Sequence, residues 1–352
     1  MTATRSAFGT LPSGETVECI ALAQPSGVTA RILTLGAAIQ GFAIPDAQGR
    51  IEDCVLGHDD LQGYLGTRSF FGATIGRFGN RIAGGRFTLG GETFTVPAND
   101  GPNALHGGPE GFDRRNWTVR ETGAGPAPFV TLDLISPDGD QGFPGRMTAR
   151  VTYRLEATGL EIIMTAECDR PCPVNMTNHA FFNLGGGIDD PARIVTAMDH
   201  HLTLPASRYL PVDDAGIPEG PPLPVDGTVF DFLRPRRIGQ TVRSADPQLV
   251  RRRGYDHCLC PDGAGFRPVA LLADPASGRR LTVLSDQPGL QFYSGNFLDG
   301  RTVGKGGVAY RAGDAICLEP QGFPDAPNRP DFPPSLAGPG QDWRHRMRLD
   351  FA

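Results

Sequence analysis

Met147-Thr148-Ala149-Arg150-Val151-Thr152-Tyr153-Arg154-Leu155-Glu156-Ala157-Thr158-Gly159-Leu160-Glu161-Ile162-Ile163-Met164-Thr165-Ala166-Glu167-Cys168 is the stretch that decides the fold. Met147, Ala149, Val151, Tyr153 and Leu155 share one phase of a two-residue period, and Thr148, Arg150, Thr152, Arg154 and Glu156 share the other. Successive side chains of a strand leave on opposite faces, so this pattern predicts a strand with one buried face. After the turn signal Thr158-Gly159 the alternation resumes through Leu160, Ile162, Met164, Ala166 and Cys168. The two runs therefore read as an antiparallel hairpin.

Working outward, Phe87-Thr88-Leu89 and Phe94-Thr95-Val96 flank Gly90-Gly91, and two glycines supply the positive φ angles of a short hairpin connection. Residues 29–35, 129–135, 281–284, 290–294 and 315–319 are further strand candidates. Helical periodicity is confined to 59–65 and 245–250, each two turns or fewer. Turn signals recur throughout, carried by 47 Gly and 32 Pro that are spread along the chain instead of pooled in one tract. The expected fold is all-β, a large antiparallel β-sandwich, with residues 1–352 as a single domain. Residues 218–224 and 325–334 read as long surface loops stiffened by proline.

Composition narrows the function. Lys and Arg number 33 against 39 Asp and Glu, a net charge of −6, whereas nucleic-acid binding calls for clustered cations. The densest basic run, Arg251-Arg252-Arg253, falls in an expected loop and reads as a solvated surface. No uncharged apolar run approaches the roughly 18 residues of a membrane helix. Met1 to Val17 mixes charge, Gly and Pro without the apolar core of a secretory signal, so the expected location is the cytoplasm. Seven cysteines are an odd number, and Cys168/Cys172 and Cys258/Cys260 lack the two-residue gap of a zinc or redox motif, which points to reduced, mostly buried thiols.

Five stretches hold polar groups among Gly, Asn and aromatics, the setting of a small-molecule cleft. In Gly76-Arg77-Phe78-Gly79-Asn80-Arg81-Ile82 a planar fork of donors sits beside an amide, a set suited to hydroxyls and ring oxygens or, equally, to a surface ion pair and a turn. His106, in Leu105-His106-Gly107-Gly108, lies on a loop open to a ligand, or holds that loop by hydrogen bonds. His179, in Thr177-Asn178-His179-Ala180-Phe181-Phe182-Asn183, has Asn178 or Asn183 to fix its tautomer, and a structural histidine fits as well. Asp256 can accept from two vicinal hydroxyls or cap a turn. Glu319, in Cys317-Leu318-Glu319-Pro320-Gln321, precedes a proline that biases it away from helix and stiffens it, as a catalytic base requires; the plain alternative is an edge residue at a strand end. Gln291 adds a strand-borne amide near aromatics.

His106, His179, Glu319 and Asp256 are also possible metal ligands, but they lack the short spacing of a metal motif, and His200-His201 would point to opposite faces of a strand; no metal site is expected. There is no Gly-rich phosphate loop opening a helix and no Gly-x-Ser-x-Gly turn. Nucleotide cofactors and serine hydrolysis lose support accordingly.

The order of these motifs resembles one family. Asn80-Arg81-Ile82, then Asn103-x-Leu105-His106-Gly107-Gly108-x-x-Gly111-Phe112-Asp113, then Thr177-Asn178-His179-x-Phe181-Phe182-Asn183-Leu184, then Asp256-His257, then Asn296-Phe297-Leu298-Asp299-Gly300, and finally Cys317-Leu318-Glu319-Pro320-Gln321-x-x-Pro324-Asp325-Ala326-x-Asn328 look like aldose 1-epimerase, the galactose mutarotase family. The similarity runs from about residue 9 to the C-terminus, and the set in this order is far more specific than any one motif.

The resemblance implies a β-sandwich of the galactose mutarotase type and an isomerase that interconverts the α and β anomers of a free aldose without cofactor or metal. It further implies Glu319 as general base at the C1 hydroxyl, His179 as general acid at the ring oxygen, and His106 as a second histidine assisting there. Asn80, Arg81, His106, Asp256 and Gln291 match positions that bind sugar hydroxyls. Arg77 competes with Arg81 as the sugar contact, and Arg81 fits the motif better. The partner is a small free sugar, with galactose, glucose, xylose and arabinose all open because residues 205–235 cannot be placed. A sugar-phosphate epimerase would need extra cations, a glycoside hydrolase two flanking carboxylates, and a binding-only module neither base nor acid.

Overall fold

The computed structural model describes residues 1–66 and 68–351. The hairpin that opens the sequence reading is Met147–Leu155 paired with Gly159–Cys168 in continuous register from Met147 opposite Cys168 to Leu155 opposite Leu160. It supplies the third and fourth strands of a nine-stranded antiparallel sheet: Thr118–Gly123, Phe129–Ser136, the hairpin, Trp343–Phe351, Arg280–Ser285, Arg267–Ala273, His201–Thr203 and Arg236–Arg237. The apolar phase read from the sequence is the buried one, down to Val151, Tyr153, Ile162 and Met164.

A six-stranded sheet, in the order Phe181–Phe182, Ile316–Gln321, Gly289–Tyr293, Asp256–Pro261, Ala206–Tyr209 and Leu223–Pro224, shares one apolar core with the nine-stranded sheet. Five N-terminal strands, from Thr2–Thr10 to Ile51–Asp53, make a third antiparallel sheet whose Ile20, Ile32 and Phe42 join the same core. The small hairpin is Arg86–Leu89 with Glu92–Thr95, turned at Gly90 (φ 60°) and Gly91 (φ 84°) as its sequence demands. Helices are restricted to Leu61–Gly66 and Pro247–Arg252 plus single 3-10 turns, and among the described residues none is long and apolar enough to cross a membrane.

Alternation along the six-stranded sheet positions the site. Ile316 and Leu318, Leu290 and Phe292, and Leu259 enter the core, so Cys317, Glu319, Gln291, Tyr293 and Asp256 leave on the opposite face. The register sets Gln291 beside Glu319, Tyr293 beside Cys317 and Asp256 beside Tyr293. That outer face is the floor of a cavity.

Residues 325–334 are a surface loop as expected, anchored by buried Asp325, whose carboxylate accepts from Ala83 N at 2.9 Å, and by Phe332, which packs on Phe323. One surface expectation needs correction: Arg251–Arg253 is not a uniformly solvated run. Its middle residue ends the helix Pro247–Arg252 and is only 6% exposed. Arg253 closes that helix in the left-handed region at φ 58°.

Candidate active site

Glu319 stands inside the sheet, because the strand continues through Pro320 to Gln321; it is not an edge residue. Its neighbours Gly289–Tyr293 on one side and Phe181–Phe182 on the other leave it 2% exposed. The Pro320 carbonyl accepts from Thr177 Oγ1 at 2.7 Å.

His179 lies between the two-residue strands Thr177–Asn178 and Phe181–Phe182. Its backbone N donates to Ala73 O at 2.9 Å and its carbonyl accepts from Gly72 N at 3.0 Å. The ring stacks between Phe181, with centroids 5.0 Å apart, and Phe70, 5.7 Å apart. Asn178 and Asn183 do not orient it: their amides donate to Gly72 O, and to Val195 O and Asp314 O. His179 Nε2 faces Glu319 Oε2 at 3.7 Å.

The Arg81–Ile82 strand pairs with Ala104–Leu105, which carries Asn80 and His106 to the same wall. Both sit at positive φ, 64° and 52°, and they bind each other: His106 N donates to Asn80 O at 3.0 Å and Asn80 N donates to His106 Nδ1 at 3.1 Å. The structural and functional readings of His106 thus coexist, one nitrogen holding the loop and the ring facing the cavity. Gly107 follows because a Cβ there would come within 2.0 Å of Gly76 O.

Asp256 Oδ1 accepts from Gln291 Nε2 at 2.7 Å and Oδ2 accepts from Arg252 Nη2 at 2.7 Å, with Arg81 Nη1 at 3.9 Å. Arg81 also donates to Asp100 at 2.8 Å. Asn80, Arg81, His106, His179, Asp256, Gln291 and Glu319 together line one cavity of about 450 Å³. Arg77 is not among them. It is 2% exposed and spends its guanidinium on Ser136, Pro144 and Gly145, where it pins the loop that follows residue 136.

Electrostatically the site favours neutral forms. Burial, reinforced by the Asp256 charge, pushes the Glu319 carboxyl well above the usual range. Burial lowers His179 to about 4 and carries His106 well below its ordinary value, with His179 and Arg81 adding to the latter. Asp256 is the exception: burial alone would raise it, yet Arg81 and Arg252 keep it low and ionised. Three polar atoms here, Glu319 Oε2, His179 Nδ1 and Gln291 Oε1, have no hydrogen-bond partner among the described residues. Such groups suit a polyhydroxylated ligand that supplies both donors and acceptors.

Sequence reasoning missed Phe70 and Arg252. Phe70 covers both histidines, edge-on to His106 at 4.8 Å, and itself adopts φ 59°. Its only signal was the aromatic pair Phe70-Phe71 ahead of Gly72.

Comparison with known proteins follows the same lines. A family model described as aldose 1-epimerase matches residues 18–350. The chain is 42% identical over 351 residues to galactose mutarotase of Homo sapiens, covering 99% of this chain and 98% of that one. It is 38% identical over 345 residues to aldose 1-epimerase of Escherichia coli strain K12, covering 97% and 96%. The solved structure of galactose 1-epimerase from Lactobacillus acidophilus NCFM superposes with a TM-score of 0.87 at 29% identity, covering 100% of this chain and 98% of that one.

Proposed function

Because this chain belongs to the aldose 1-epimerase family and is an isomerase of sugar anomers, we propose that Glu319 is its general base and His179 its general acid. Glu319 takes the proton of the C1 hydroxyl, C1 becomes an aldehyde as its bond to the ring oxygen breaks, and His179 protonates that oxygen. Rotation about C1–C2 and closure on the other face reverse both transfers, so atoms and electrons balance without a co-reactant.

The observation that carries this reading is the pairing of Glu319 and His179, two buried titratable groups 3.7 Å apart at one cavity wall. Burial raises the Glu319 carboxyl and lowers His179, so the cavity favours the form with the proton on Glu319 over the ion pair. The reaction starts from the ion-paired form, Glu319 carboxylate with His179 imidazolium, and ring opening returns the pair to the favoured neutral form. Ring opening is thereby assisted, and closure on either face returns the proton. Asp256, kept ionised by Arg81 and Arg252, and Asn80, Arg81, His106 and Gln291 bind the hydroxyls that orient the ring, and His106 assists at the ring oxygen. Galactose is the first sugar to try, since that is the substrate named for the human relative.

Polarimetry of freshly dissolved α-galactose, α-glucose, α-xylose and α-arabinose tests the assignment and ranks the sugars. Glu319→Gln is expected to lower kcat by about 10²–10⁴-fold, the usual worth of one positioned proton transfer, with sugar binding largely kept, and His179→Asn to do nearly the same. Wild-type turnover by Glu319→Gln would sink the reading.

A further inference from the structure

Behind the proton-transfer pair lies a thiol that the reaction does not use. Cys317 and Glu319 are two residues apart on the strand Ile316–Gln321 and share its outward face. Phe181 pairs with Cys317 across the strand, which brings the connected His179 over both. A histidine nitrogen, the Cys317 sulfur and a Glu319 oxygen all lie within 4.8 Å of one another.

From this juxtaposition we infer that His179, Cys317 and Glu319 form an inhibitory site for a thiophilic divalent cation such as Zn²⁺. Tetrahedral Zn²⁺, with bonds of about 2.0–2.3 Å to N, O and S, spaces its ligand atoms about 3.3–3.6 Å apart. His179 Nε2 and Glu319 Oε2 are already 3.7 Å apart, so modest side-chain rotation closes the triangle. Glu319 Oε2 has no hydrogen-bond partner among the described residues, and Cys317 is 0% exposed in a cluster with Tyr293 and Phe181. His179 and Glu319 line the cavity, with Cys317 buried behind them, and the cavity is the cation's route to the triad. On binding, the Cys317 S–H proton and the one proton carried by the Glu319–His179 pair both pass to solvent as the bonds to the metal form. Hard cations such as Mg²⁺ and Ca²⁺ prefer oxygen sets and should not bind.

Coordination holds both nitrogen and oxygen lone pairs that the reaction needs; the inhibition therefore rests on the roles proposed for Glu319 and His179, whereas the binding does not. Binding is read first, on the wild-type protein titrated with Co²⁺ alone. The expected result is a thiolate-to-cobalt charge-transfer band that galactose displaces; no band, or one indifferent to galactose, overturns the inference. Next, Zn²⁺ alone should slow galactose mutarotation reversibly to a chelator, and Mg²⁺ should not. Cys317→Ala should keep the uninhibited rate but weaken Zn²⁺ inhibition by about tenfold or more. Equal inhibition of both proteins overturns the proposal, and if the Ala variant does not fold, Cys317→Val replaces it at closer volume. A band that appears normally while Glu319→Gln retains full turnover would instead refute the catalytic roles and leave the metal site standing.

Discussion

Phe70 shows how much one side chain controls at the residue scale. Its ring shields His179 at 5.7 Å and His106 at 4.8 Å, and burial is the largest cause of the depressed His179 value of about 4. Holding a bulky residue at φ 59° costs about 1–3 kcal/mol, and the structure around it sustains that strain at the cavity wall. In the proposed mechanism the Glu319–His179 pair works while it carries one proton, so activity is lost on the acid side when a second proton reaches His179. Removing the ring admits water, stabilises the imidazolium and raises that threshold. In Phe70→Ala the acid limb of the kcat/KM profile for galactose is therefore expected to move upward from about pH 4 toward the ordinary histidine value of 6.5. An acid limb that stays in place would show that Phe70 does not set the environment of His179.

At the scale of elements, the helix Pro247–Arg252 is short but carefully ended. Asp246 caps it by accepting from Gln248 N at 2.9 Å, and Arg252 emerges at its last position to grip Asp256 through both Nε and Nη2. Arg252→Ala leaves a buried carboxylate short of its main partner, a loss of roughly 3 kcal/mol. The expectation is a lower melting temperature and a KM for galactose that rises more than kcat falls; Arg252→Lys, which lacks the fork, should recover only part of either. An unchanged KM in Arg252→Ala would mean that Arg81 and Gln291 suffice to keep Asp256 in place.

This helix also marks the boundary of what the sequence makes legible. Long strands announce themselves through a period of two, and the hairpin 147–168 needs nothing beyond local alternation. The site rests instead on two-residue strands such as Thr74–Ile75 with Thr177–Asn178, whose partners are about a hundred residues apart and too short to show any period. Asn80, His106, His179, Asp256 and Glu319 were recognisable as an ordered set of motifs, not from spacing. Arg252 was not, because a triplet of arginines looks alike at each position until the helix turns one inward.

For the whole molecule, the core that joins the three large sheets runs from Ile20 to Leu349 and includes both tryptophans, Trp117 and Trp343. We therefore expect residues 1–352 to behave as one domain, with tryptophan fluorescence and far-ultraviolet circular dichroism giving coincident urea transitions; two separated transitions would divide it. The same core makes the fold sensitive to acid. His106 Nδ1, His200 Nε2 and His257 Nδ1 each accept a backbone N–H, from Asn80, Leu184 and Asp256, so a proton on that nitrogen would set two donors against each other. Burial lowers His200 to about 4 and His257 to about 3, and takes His106 well below its usual value. The unfolded chain binds protons at these groups near 6.5 while the folded chain does not, so stability is full above that pH and declines as pH falls toward 4. Each unit of depression at a buried histidine is worth about 1.4 kcal/mol. Glu319 acts in the opposite sense, since its raised value means that the unfolded chain gives up a proton first and stability falls as pH rises above the carboxylate range. The histidine contribution is therefore less opposed in Glu319→Gln, where the urea midpoint should drop by several tenths molar or more between pH 7.5 and 5, given slopes of about 1–3 kcal/mol/M or above for a chain of this size. A midpoint independent of pH across that interval would show that these imidazoles are not held neutral by the backbone donors that face them.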